Sequence, residues 1–579
     1  MKKMLIIILT IIFNKYTCLT GKDRGAYLKT PDPNELQYRL GNGIGYIGNG
    51  WDDSKMYILS SMCGYDGQRK KLPEQHFINW GYEIEVGDCK TNDKYGILDV
   101  VGYLATPSKE HSSNKTDNSE LCYPANLYEP IWLEDGSVNP NNYWAFYINK
   151  TVTIYKDYIK IWETWNEPDY TQNYNDVSKW KTEPPEPKIL THWHGTIFEY
   201  IRLLRITYEV AKKVDPTCWV ATGGLGYTNF LDAILRYTDN PDGGKVTEEY
   251  PAYGGAYFDC DAYHQYPQWG VTDEETGEGY NDNGSDILAK KVVILKKSHH
   301  FIIKKYGFGS SYPDKLFINT ETGVNSASGN GVGGELVRRN WIIKLALYCI
   351  EYDVRQHHML ILADGGGGSG DYEKLGKFVS IEEGYKQLKS SSKPRIILKK
   401  MNIGKFIFDE EKTKKLRNNL PNTTTGIVLK RKFPKEENET YYYKYIYSMW
   451  VFCQKEEVDA KILIELNKYL PFDPLIIDYE GNEKRGKKDS NITLTNTPIF
   501  FLGDFDDSSN DSSDDSSSDS NKDSSSNSSE QPNNSILIIG IAVGAAVLLI
   551  ILIIVVVCIV KNRKSNKEDD EIEGGLLNN

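Results

Sequence analysis

Residues 160–169 read Lys-Ile-Trp-Glu-Thr-Trp-Asn-Glu-Pro-Asp and carry the strongest structural signal in this chain. The short run that ends at Thr164 predicts a buried β-strand, and the proline that follows predicts a turn. Glu167 should therefore lie just beyond the end of a strand. Residues 317–323 have the same form, with Glu321 after a short apolar run and before a glycine. Both segments predict an acidic side chain at the exit of a buried strand.

Short apolar runs alternate with amphipathic stretches from about residue 39 to residue 370, which is typical of a parallel α/β fold. Eight strand candidates over this length predict a (β/α)8 TIM barrel with long loops. A doubly wound open sheet is the alternative, but no G-x-G-x-x-G follows the first strand. The strand candidates are 44–47, 77–84, 97–104, 160–164, 218–222, 258–263, 316–320 and 359–363, and the clearest helices are 198–214, 288–306 and 336–352.

The two acidic residues follow different strands of the predicted barrel. Glu167 comes after the fourth strand and Glu321 after the seventh, which places them on nearly opposite sides of one barrel mouth. Paired carboxylates in such a position suit the cleavage of a glycosidic bond, because one can protonate the leaving oxygen while the other attacks the sugar carbon. The pair predicts a carbohydrate substrate.

The pattern changes after Glu382, where short strands and turns predict a small antiparallel region. We expect a barrel over residues 22–385 and a β-sandwich over residues 386–503. Residues 504–535 consist largely of Ser, Asp and Asn, so they predict a disordered acidic stalk that cannot bury apolar surface.

Two apolar segments predict a membrane protein. Residues 1–20 have a positive start and a short apolar core, as in a secretory signal peptide. Residues 536–560 are apolar and long enough to span a bilayer, and lysines and an arginine follow them directly. These features predict a single-pass type I protein of the cell membrane, with an extracellular or lumenal catalytic part and a cytoplasmic tail at 561–579.

Other details of location and assembly are also predictions. The string at residues 573–577 resembles a dileucine sorting signal, so an endosome or lysosome is the alternative location. Gly540 and Gly544 form a G-x-x-x-G that predicts a weak dimer through the spanning helix. Several N-x-S/T sequons agree with a secretory glycoprotein.

Charge and cysteine spacing exclude several classes of partner. The formal net charge of −12 argues against nucleic acid. Seven cysteines lie outside the two apolar segments, and their wide spacing argues against a zinc site, so no metal or cofactor is expected. One or two disulfide bridges are expected among Cys63, Cys89 and Cys122.

Residues 163–169, Glu-Thr-Trp-Asn-Glu-Pro-Asp, resemble the acid/base segment of glycoside hydrolase family 39, which contains β-xylosidases and α-L-iduronidases. The wider clan of retaining barrel glycosidases has Asn-Glu-Pro after strand four and a second Glu after strand seven, as Glu167 and Glu321 are placed here. Residues 263–267, Tyr-His-Gln-Tyr-Pro, are similar to the clan's His-x-Tyr segment, whose Tyr contacts the nucleophile. The resemblance covers most of residues 39–502 in outline.

The resemblance implies a retaining mechanism with distinct roles for five residues. Glu167 would be the acid/base, with a raised pKa, and Glu321 the ionised nucleophile, with the two carboxyl groups about 5–5.5 Å apart. Asn166 would bind the 2-hydroxyl of the sugar, and Tyr266 would orient Glu321. His264 would line the sugar site.

Further side chains are candidates for contact with the sugar. Trp165, Trp193 and Trp269 are placed to stack on sugar faces, with core packing as the alternative. Asp364 follows the last predicted strand and would either contact sugar hydroxyls or serve as an acidic turn residue.

The chain also departs from the clan. Many members carry an Arg near the end of strand two that supports the nucleophile, and none follows the predicted second strand at 77–84. No residues could be assigned to a uronic carboxylate. We expect a membrane-anchored retaining glycosidase of xyloside or iduronide type, and the alternative is a catalytically silent, carbohydrate-binding adhesin on the same scaffold.

Overall fold

The computed structural model describes residues 36–43, 53–114, 122–327, 332–364, 374–377, 388–435, 439–455 and 460–504. The chain divides into units 1–506 and 507–579, and all described residues belong to the first. The predicted signal peptide, the stalk beyond residue 504, the spanning segment with Gly540 and Gly544, and the tail lie outside the described residues. Within the described part, no helix combines the length and apolar character needed to cross a bilayer.

Eight parallel strands close into a barrel in sequential order. This confirms the predicted TIM-barrel architecture. The barrel strands are β1 (Arg39–Asn42), β2 (Gly67–Pro73), β3 (Val100–Ala105), β4 (Ile159–Thr164), β5 (Trp219–Ala221), β6 (Cys260–His264), β7 (Leu316–Thr322) and β8 (Gln356–Met359). A hairpin of Val271–Thr272 and Gly279–Tyr280 follows β6.

Helices cover the outside of the barrel. The longest of them match the predicted segments closely, and the first turn of α5 is closed by a capping box between Thr196 and Glu199. These helices are α1 (Asp53–Met62), α2 (Glu74–Trp80), α3 (Val86–Lys94), α4 (Tyr143–Tyr155), α5 (Ile197–Val214), α6 (Thr228–Arg236), α7 (Ser285–Lys305), α8 (Glu335–Glu351) and α9 (Lys393–Lys400). A further helix, α10 (Glu410–Asn419), packs instead on the antiparallel region that follows the barrel.

The first two barrel strands and the last one differ from their predicted positions. Residues 77–84 form the end of α2 and a turn rather than a strand, and their apolar side chains Ile78, Trp80 and Ile84 are exposed. The second strand is instead β2, which hydrophobicity could not reveal because its sequence, Gly-Gln-Arg-Lys-Lys-Leu-Pro, is strongly polar. β1 precedes the predicted segment 44–47, which lies outside the described residues. β8 ends at the residue where the predicted segment 359–363 begins. β4 and β7 are nevertheless the fourth and seventh strands of the barrel, as predicted.

The floor of the barrel is apolar and supports the polar mouth above it. Side chains from consecutive strands of the barrel pack together there, and they fill its interior as expected for this fold. They include Val101, Ile161, Trp219, Ala262 and Ile318. An apolar layer therefore lies beneath the charged residues of the site described below.

A six-stranded antiparallel sheet and a two-stranded sheet follow the barrel. They enclose their own apolar core, which agrees with the predicted sandwich-like region. The larger sheet contains, in spatial order, β9 (Phe406–Phe408), β10 (Thr424–Arg431), β11 (Tyr445–Val451), β16 (Ile499–Gly503), β13 (Leu475–Ile477) and β14 (Glu483–Arg485), and the smaller contains β12 (Ile462–Glu465) and β15 (Asn491–Leu494).

The seven described cysteines are all buried free thiols, so the predicted bridges among Cys63, Cys89 and Cys122 are wrong. Cys63 follows α1, Cys89 lies within α3, and Cys122 lies near His194, with 4.0 Å between its Sγ and the ring Nδ1. The three thiols therefore lie in separate surroundings.

A buried carboxylate joins the barrel helices to the large antiparallel sheet. Asp286, on α7, accepts hydrogen bonds from Lys344 Nζ (2.6 Å) and Tyr348 Oη (2.8 Å) on α8. It also accepts from Trp450 Nε1 (2.9 Å) on β11 and from the backbone N–H of Cys453 (2.8 Å). Asp286 and Lys344 are fully buried, so water cannot solvate their charges. The two charges are stabilised by each other and by the hydrogen bonds that Asp286 accepts.

We expect Asp286→Ala to destabilise the folded protein by about 3–5 kcal/mol, because it leaves the Lys344 ammonium buried without a counter-charge. Urea unfolding of the variant and the wild type measures this difference. Asp282→Ala is the matched control, since Asp282 makes an exposed contact with Gln454 across the same junction. Equal unfolding free energies for the two variants would contradict the importance of the ion pair.

Candidate active site

The turn after β4 presents Glu167 at the C-terminal mouth of the barrel. Trp165 and Glu167 both have left-handed backbone conformations, with φ of 77° and 47°, which cost of order 1–3 kcal/mol each for non-glycine residues. Neighbouring strands hold this turn, because Trp165 N donates to Leu104 O (2.9 Å) and Glu167 N donates to Gly223 O (2.6 Å). Gly223 allows the close approach, since a Cβ there would lie 2.4 Å from Thr164 O.

The mouth brings the two predicted glutamates together. One carboxylate oxygen of Glu167, one of Glu321 and one ring nitrogen of His264 all lie within 4.8 Å of one another. His264 stands between the acids, with its Nδ1 2.8 Å from Glu167 Oε1 and 3.5 Å from Glu321 Oε2. Its Nε2 lies 3.0 Å from Thr320 Oγ1. The predicted positions of all three residues converge on one site.

This trio has the ligand atoms that a cation would need. A metal ion at this point would have to break the hydrogen bond between His264 and Glu167. It would also lie near the guanidinium of Arg69, whose Nη1 is 3.2 Å from Glu321 Oε2. Like charges at such a distance repel one another. The surroundings therefore disfavour a metal, and its predicted absence stays a prediction.

Glu321 is held by a hydroxyl and a guanidinium. Tyr266 Oη donates to Glu321 Oε1 at 2.5 Å, which is the contact that the resemblance implied. Arg69 Nη1 donates to Glu321 Oε2 at 3.2 Å. Arg69 lies on β2, so the apparent lack of a supporting arginine was an error that followed from the misplaced second strand. Both contacts favour the ionised form of a carboxylate.

Arg69 also organises the floor of the site. Its Nε and Nη2 donate to the two oxygens of the fully buried Glu163, at 2.6 and 3.1 Å, and Nη2 also donates to Asn166 Oδ1 at 2.8 Å. Thr320 Oγ1 donates to Glu163 Oε1 at 2.7 Å. Burial opposes the charge of Arg69, but Glu163 and Glu321 outweigh it and raise the pKa of Arg69. Glu163 belongs to the quoted motif, yet only the structure reveals its partner.

Two imidazole rings contact Glu167. Besides His264, His192 approaches with its Nδ1 3.1 Å from Glu167 Oε2, and its ring stacks on Tyr170 with 4.5 Å between centroids. Sequence reasoning missed His192, since it lies 25 positions beyond Glu167 in a long loop without periodicity. The only signal was the composition of that loop, which is rich in Pro and aromatic residues.

The pKa of Glu167 is lowered, contrary to the expectation of a raised value. Burial raises this pKa, but the contacts with His192 and His264 outweigh it. Burial lowers the pKa of His264, but the contacts with Glu321 and Glu167 raise it by more, so the net shift of this pKa is upward. These opposite shifts favour the proton on the imidazole of His264 over the carboxylate of Glu167.

The tryptophans differ in exposure. Trp165 and Trp193 are buried against each other, with ring centroids 5.2 Å apart, and their indole N–H groups donate to backbone carbonyls. Core packing, the alternative for these two, is what the structure contains, so the substrate-stacking role predicted for Trp165 is not supported. Trp269 is 62% exposed. Asp364 accepts hydrogen bonds from Lys389 Nζ and Gly376 N, as an acidic turn residue does.

No protein-family model matches this chain. No curated protein sequence matches it either. Among solved structures, it is similar to a family 39 glycoside hydrolase from the gut symbiont Bacteroides cellulosilyticus WH2, with 16% identity, 81% of each chain covered and a TM-score of 0.51. The two chains share a fold.

Two family 30 enzymes are similar at lower TM-scores. One is an endoxylanase from Clostridium papyrosolvens C71, with 12% identity, 81% of this chain and 98% of that chain covered, and a TM-score of 0.45. The other is xylanase C from Talaromyces cellulolyticus, with 10% identity, 82% and 98% covered, and a TM-score of 0.45. The shared barrel with a family 39 enzyme agrees with the resemblance seen at residues 163–169.

We expect Arg69→Met to destabilise the protein by about 3–5 kcal/mol, because Glu163 would remain buried without its counter-charge. The double variant Arg69→Met with Glu163→Met should regain most of this loss, since it removes both charges at similar volume. Chemical unfolding of the single and double variants measures the difference. Additive losses in the double variant would contradict the pairing.

The pKa shifts predict how stability depends on pH. The pKa of His264 is raised above 6.5, so its contribution is fully present below about pH 6.5 and is lost as pH rises through the native pKa. The pKa of Glu167 is lowered below 4.5, so its contribution is present above about pH 4.5 and is lost as pH falls through the native pKa. The pair therefore stabilises the fold most between these values.

Thermal unfolding between about pH 6 and pH 8 tests the predicted contribution of His264 to stability. We expect the melting temperature of the wild type to fall over this range and the fall to be smaller in His264→Gln. His300→Gln is the control, because His300 contacts Asp314 away from the site. An unchanged slope in His264→Gln would contradict the raised pKa.

Proposed function

We propose that this protein is a retaining glycoside hydrolase. The observation that supports this most directly is the pair of unlike glutamates, Glu167 and Glu321, with oxygens within 4.8 Å of each other at the mouth of the barrel. Carboxyl groups about 5–5.5 Å apart suit direct attack on the sugar, whereas inverting enzymes leave about 6.5–9.5 Å for a water molecule. The different surroundings of the two acids assign different roles to them.

Glu321 is the proposed nucleophile. Tyr266 and Arg69 donate to its two oxygens and hold the carboxylate in place at the mouth. In the first step, a Glu321 oxygen forms a bond to the anomeric carbon while the bond from that carbon to the leaving oxygen breaks. The product is a glycosyl ester of the enzyme. Water then cleaves this ester and releases the sugar with retained configuration.

Glu167 is the proposed acid/base, supplied with its proton by His264. The proton moves from His264 Nδ1 across 2.8 Å to Glu167, and from Glu167 to the departing oxygen. In the second step, Glu167 accepts a proton from the attacking water. This relay reconciles the low pKa of Glu167 at rest with its need to act as an acid. Asn166, oriented by Arg69, is placed to donate its amide to a sugar hydroxyl.

The substrate class follows from the resemblance to family 39, whose members act on xylosides and iduronides. Trp269, with its exposed indole, remains a candidate for stacking on the sugar. Attachment to the cell membrane as a type I protein, with an endosomal or lysosomal location as the alternative, is proposed from residues 1–20, 536–560 and 573–577 alone. The catalytic part would then face the outside or the lumen.

A mechanism-based 2-fluoro glycosyl fluoride should label Glu321, because fluorine slows hydrolysis of the covalent intermediate. Mass spectrometry of the labelled peptide identifies the residue, and a panel of aryl xylosides, glucosides, galactosides and uronides identifies the sugar to use. We expect Glu167→Gln to lower turnover of substrates with poor leaving groups by about 10²–10⁴-fold. Glu274→Gln, at an exposed ion pair with Lys181, is the control.

The alternative is a carbohydrate-binding adhesin that keeps the barrel without turnover. It predicts sugar binding with neither hydrolysis of the panel nor labelling of Glu321. Full activity in Glu167→Gln would also contradict the proposed mechanism, since a neutral amide cannot deliver the proton.

A further inference from the structure

A second group of charges lies behind the end of β8, outside the proposed catalytic residues. We define the cationic cluster as Arg338 on α8, Arg395 on α9 and Lys377. The two arginines are fully buried and Lys377 is 1% exposed. Buried cations normally have carboxylate partners, because an unpaired charge away from water is costly.

The hydrogen bonds of this cluster go to neutral acceptors. Arg338 Nη2 and Lys377 Nζ both donate to the carbonyl of Leu375, each at 2.7 Å. Arg395 Nη1 donates to Tyr65 Oη at 2.5 Å, and its guanidinium lies over the Tyr65 ring, 4.1 Å from the centroid. None of these partners carries a formal charge at neutral pH.

Several donors of the cluster have no hydrogen-bond partner among the described residues. These are Nε and Nη1 of Arg338 and Nε and Nη2 of Arg395, all of which are buried. The hydroxyl of Ser392 is also buried without a partner. Ser392 occupies the N-cap of α9 but makes no capping hydrogen bond, so the partially positive start of that helix adds to the same field.

The nearby carboxylates among the described residues are engaged elsewhere. Asp364 accepts from Lys389 Nζ at 2.7 Å, and Glu335 accepts from Ser390 Oγ at 2.7 Å. Burial lowers the pKa of Arg338 to about 10, and the charge of Arg395 acts in the same direction. The cluster therefore has an excess of positive charge and of hydrogen-bond donors.

We propose that a small monovalent anion of the halide class binds between Arg338 and Arg395. It would accept hydrogen bonds from their unpaired N–H groups and from the Ser392 hydroxyl. A halide fits a site that offers donors, and its single charge makes burial less costly than that of a divalent oxyanion. A water molecule could satisfy some donors but would leave the positive charge in place.

Occupation of this site would stabilise the rim of the proposed active site. The Leu375 carbonyl binds two members of the cluster, and its side chain packs with Tyr266 and Ile361. Tyr266 donates to Glu321. An anion that lowers the repulsion within the cluster thus supports the segment against which Tyr266 packs. The anion site does not depend on the protein being a glycosidase, so the two proposals fail independently.

Bromide provides the direct test. Crystals of the full-length protein soaked in sodium bromide should show an anomalous difference peak within hydrogen-bonding distance of Arg338 and Arg395. The absence of a peak, or a carboxylate of this chain in its place, would overturn the proposal. This measurement uses the unmodified protein, so it stands even if a variant does not fold.

Thermal unfolding at constant ionic strength provides the second test. Replacing sodium gluconate by sodium chloride should raise the melting temperature of the full-length protein by ~1–3 °C in a saturable manner. A rise with sulfate but not with chloride would instead assign a divalent oxyanion and overturn the halide.

Arg338→Met should remove the response to chloride. In gluconate, this variant should unfold at or above the wild-type temperature, because it deletes an uncompensated buried charge. Arg339→Met is the matched control from the same helix, since Arg339 donates to Thr497 Oγ1 and lies over the Tyr479 ring. A chloride response that persists in Arg338→Met, or that disappears in Arg339→Met, would contradict the assignment.

Discussion

The buried ion pair between Arg69 and Glu163 is the constraint on which the site depends. One guanidinium fills the upper interior of the barrel and donates to Glu163, Glu321 and Asn166, which come from strands on different sides. Because the pair is fully buried, neither charge can lose its partner without a large penalty. The orientation of the mouth residues is thereby tied to the stability of the barrel itself. The same ion pair therefore stabilises the barrel and positions the residues at its mouth.

The two mouth glutamates differ because their neighbours differ. Glu321 contacts a phenol and a guanidinium, whereas Glu167 contacts two imidazoles. Imidazoles can hold or release a proton near neutral pH, while the partners of Glu321 keep their protons. The two carboxylates of the site thus lie in different electrostatic surroundings. Left-handed backbone at Trp165 and Glu167 keeps the second carboxylate in this position.

Charge is also distributed unevenly outside the mouth. Asp286 satisfies a lysine and three other donors at the junction with the large sheet, so that buried charge is balanced. The cluster of Arg338, Arg395 and Lys377 is not balanced by the described residues. The same electrostatic rule explains the first arrangement and motivates the proposed anion in the second. The two groups share α8, which carries both Lys344 and Arg338.

The sequence by itself determined the fold class, the ranks of the strands before Glu167 and Glu321, and the segments that carry Asn166, His264 and Tyr266. These features depend on local apolar runs and turn residues, which leave a readable pattern. β2 left no such pattern, because its buried residues are polar and are stabilised by partners on other strands. Residues 77–84, although apolar, form a helix end and a turn in which Phe77 is buried but Ile78, Trp80 and Ile84 are exposed.

Only the tertiary structure decided the roles that depend on distant partners. Arg69 and His192 lie far from the glutamates in sequence, and the pKa of Glu167 is lowered by rings that no local pattern places beside it. The burial of Trp165 against Trp193 was likewise undetermined until both could be placed in three dimensions. Periodicity reports which side chains avoid water, whereas the charge of a buried group depends on which residues the fold brings within hydrogen-bonding distance.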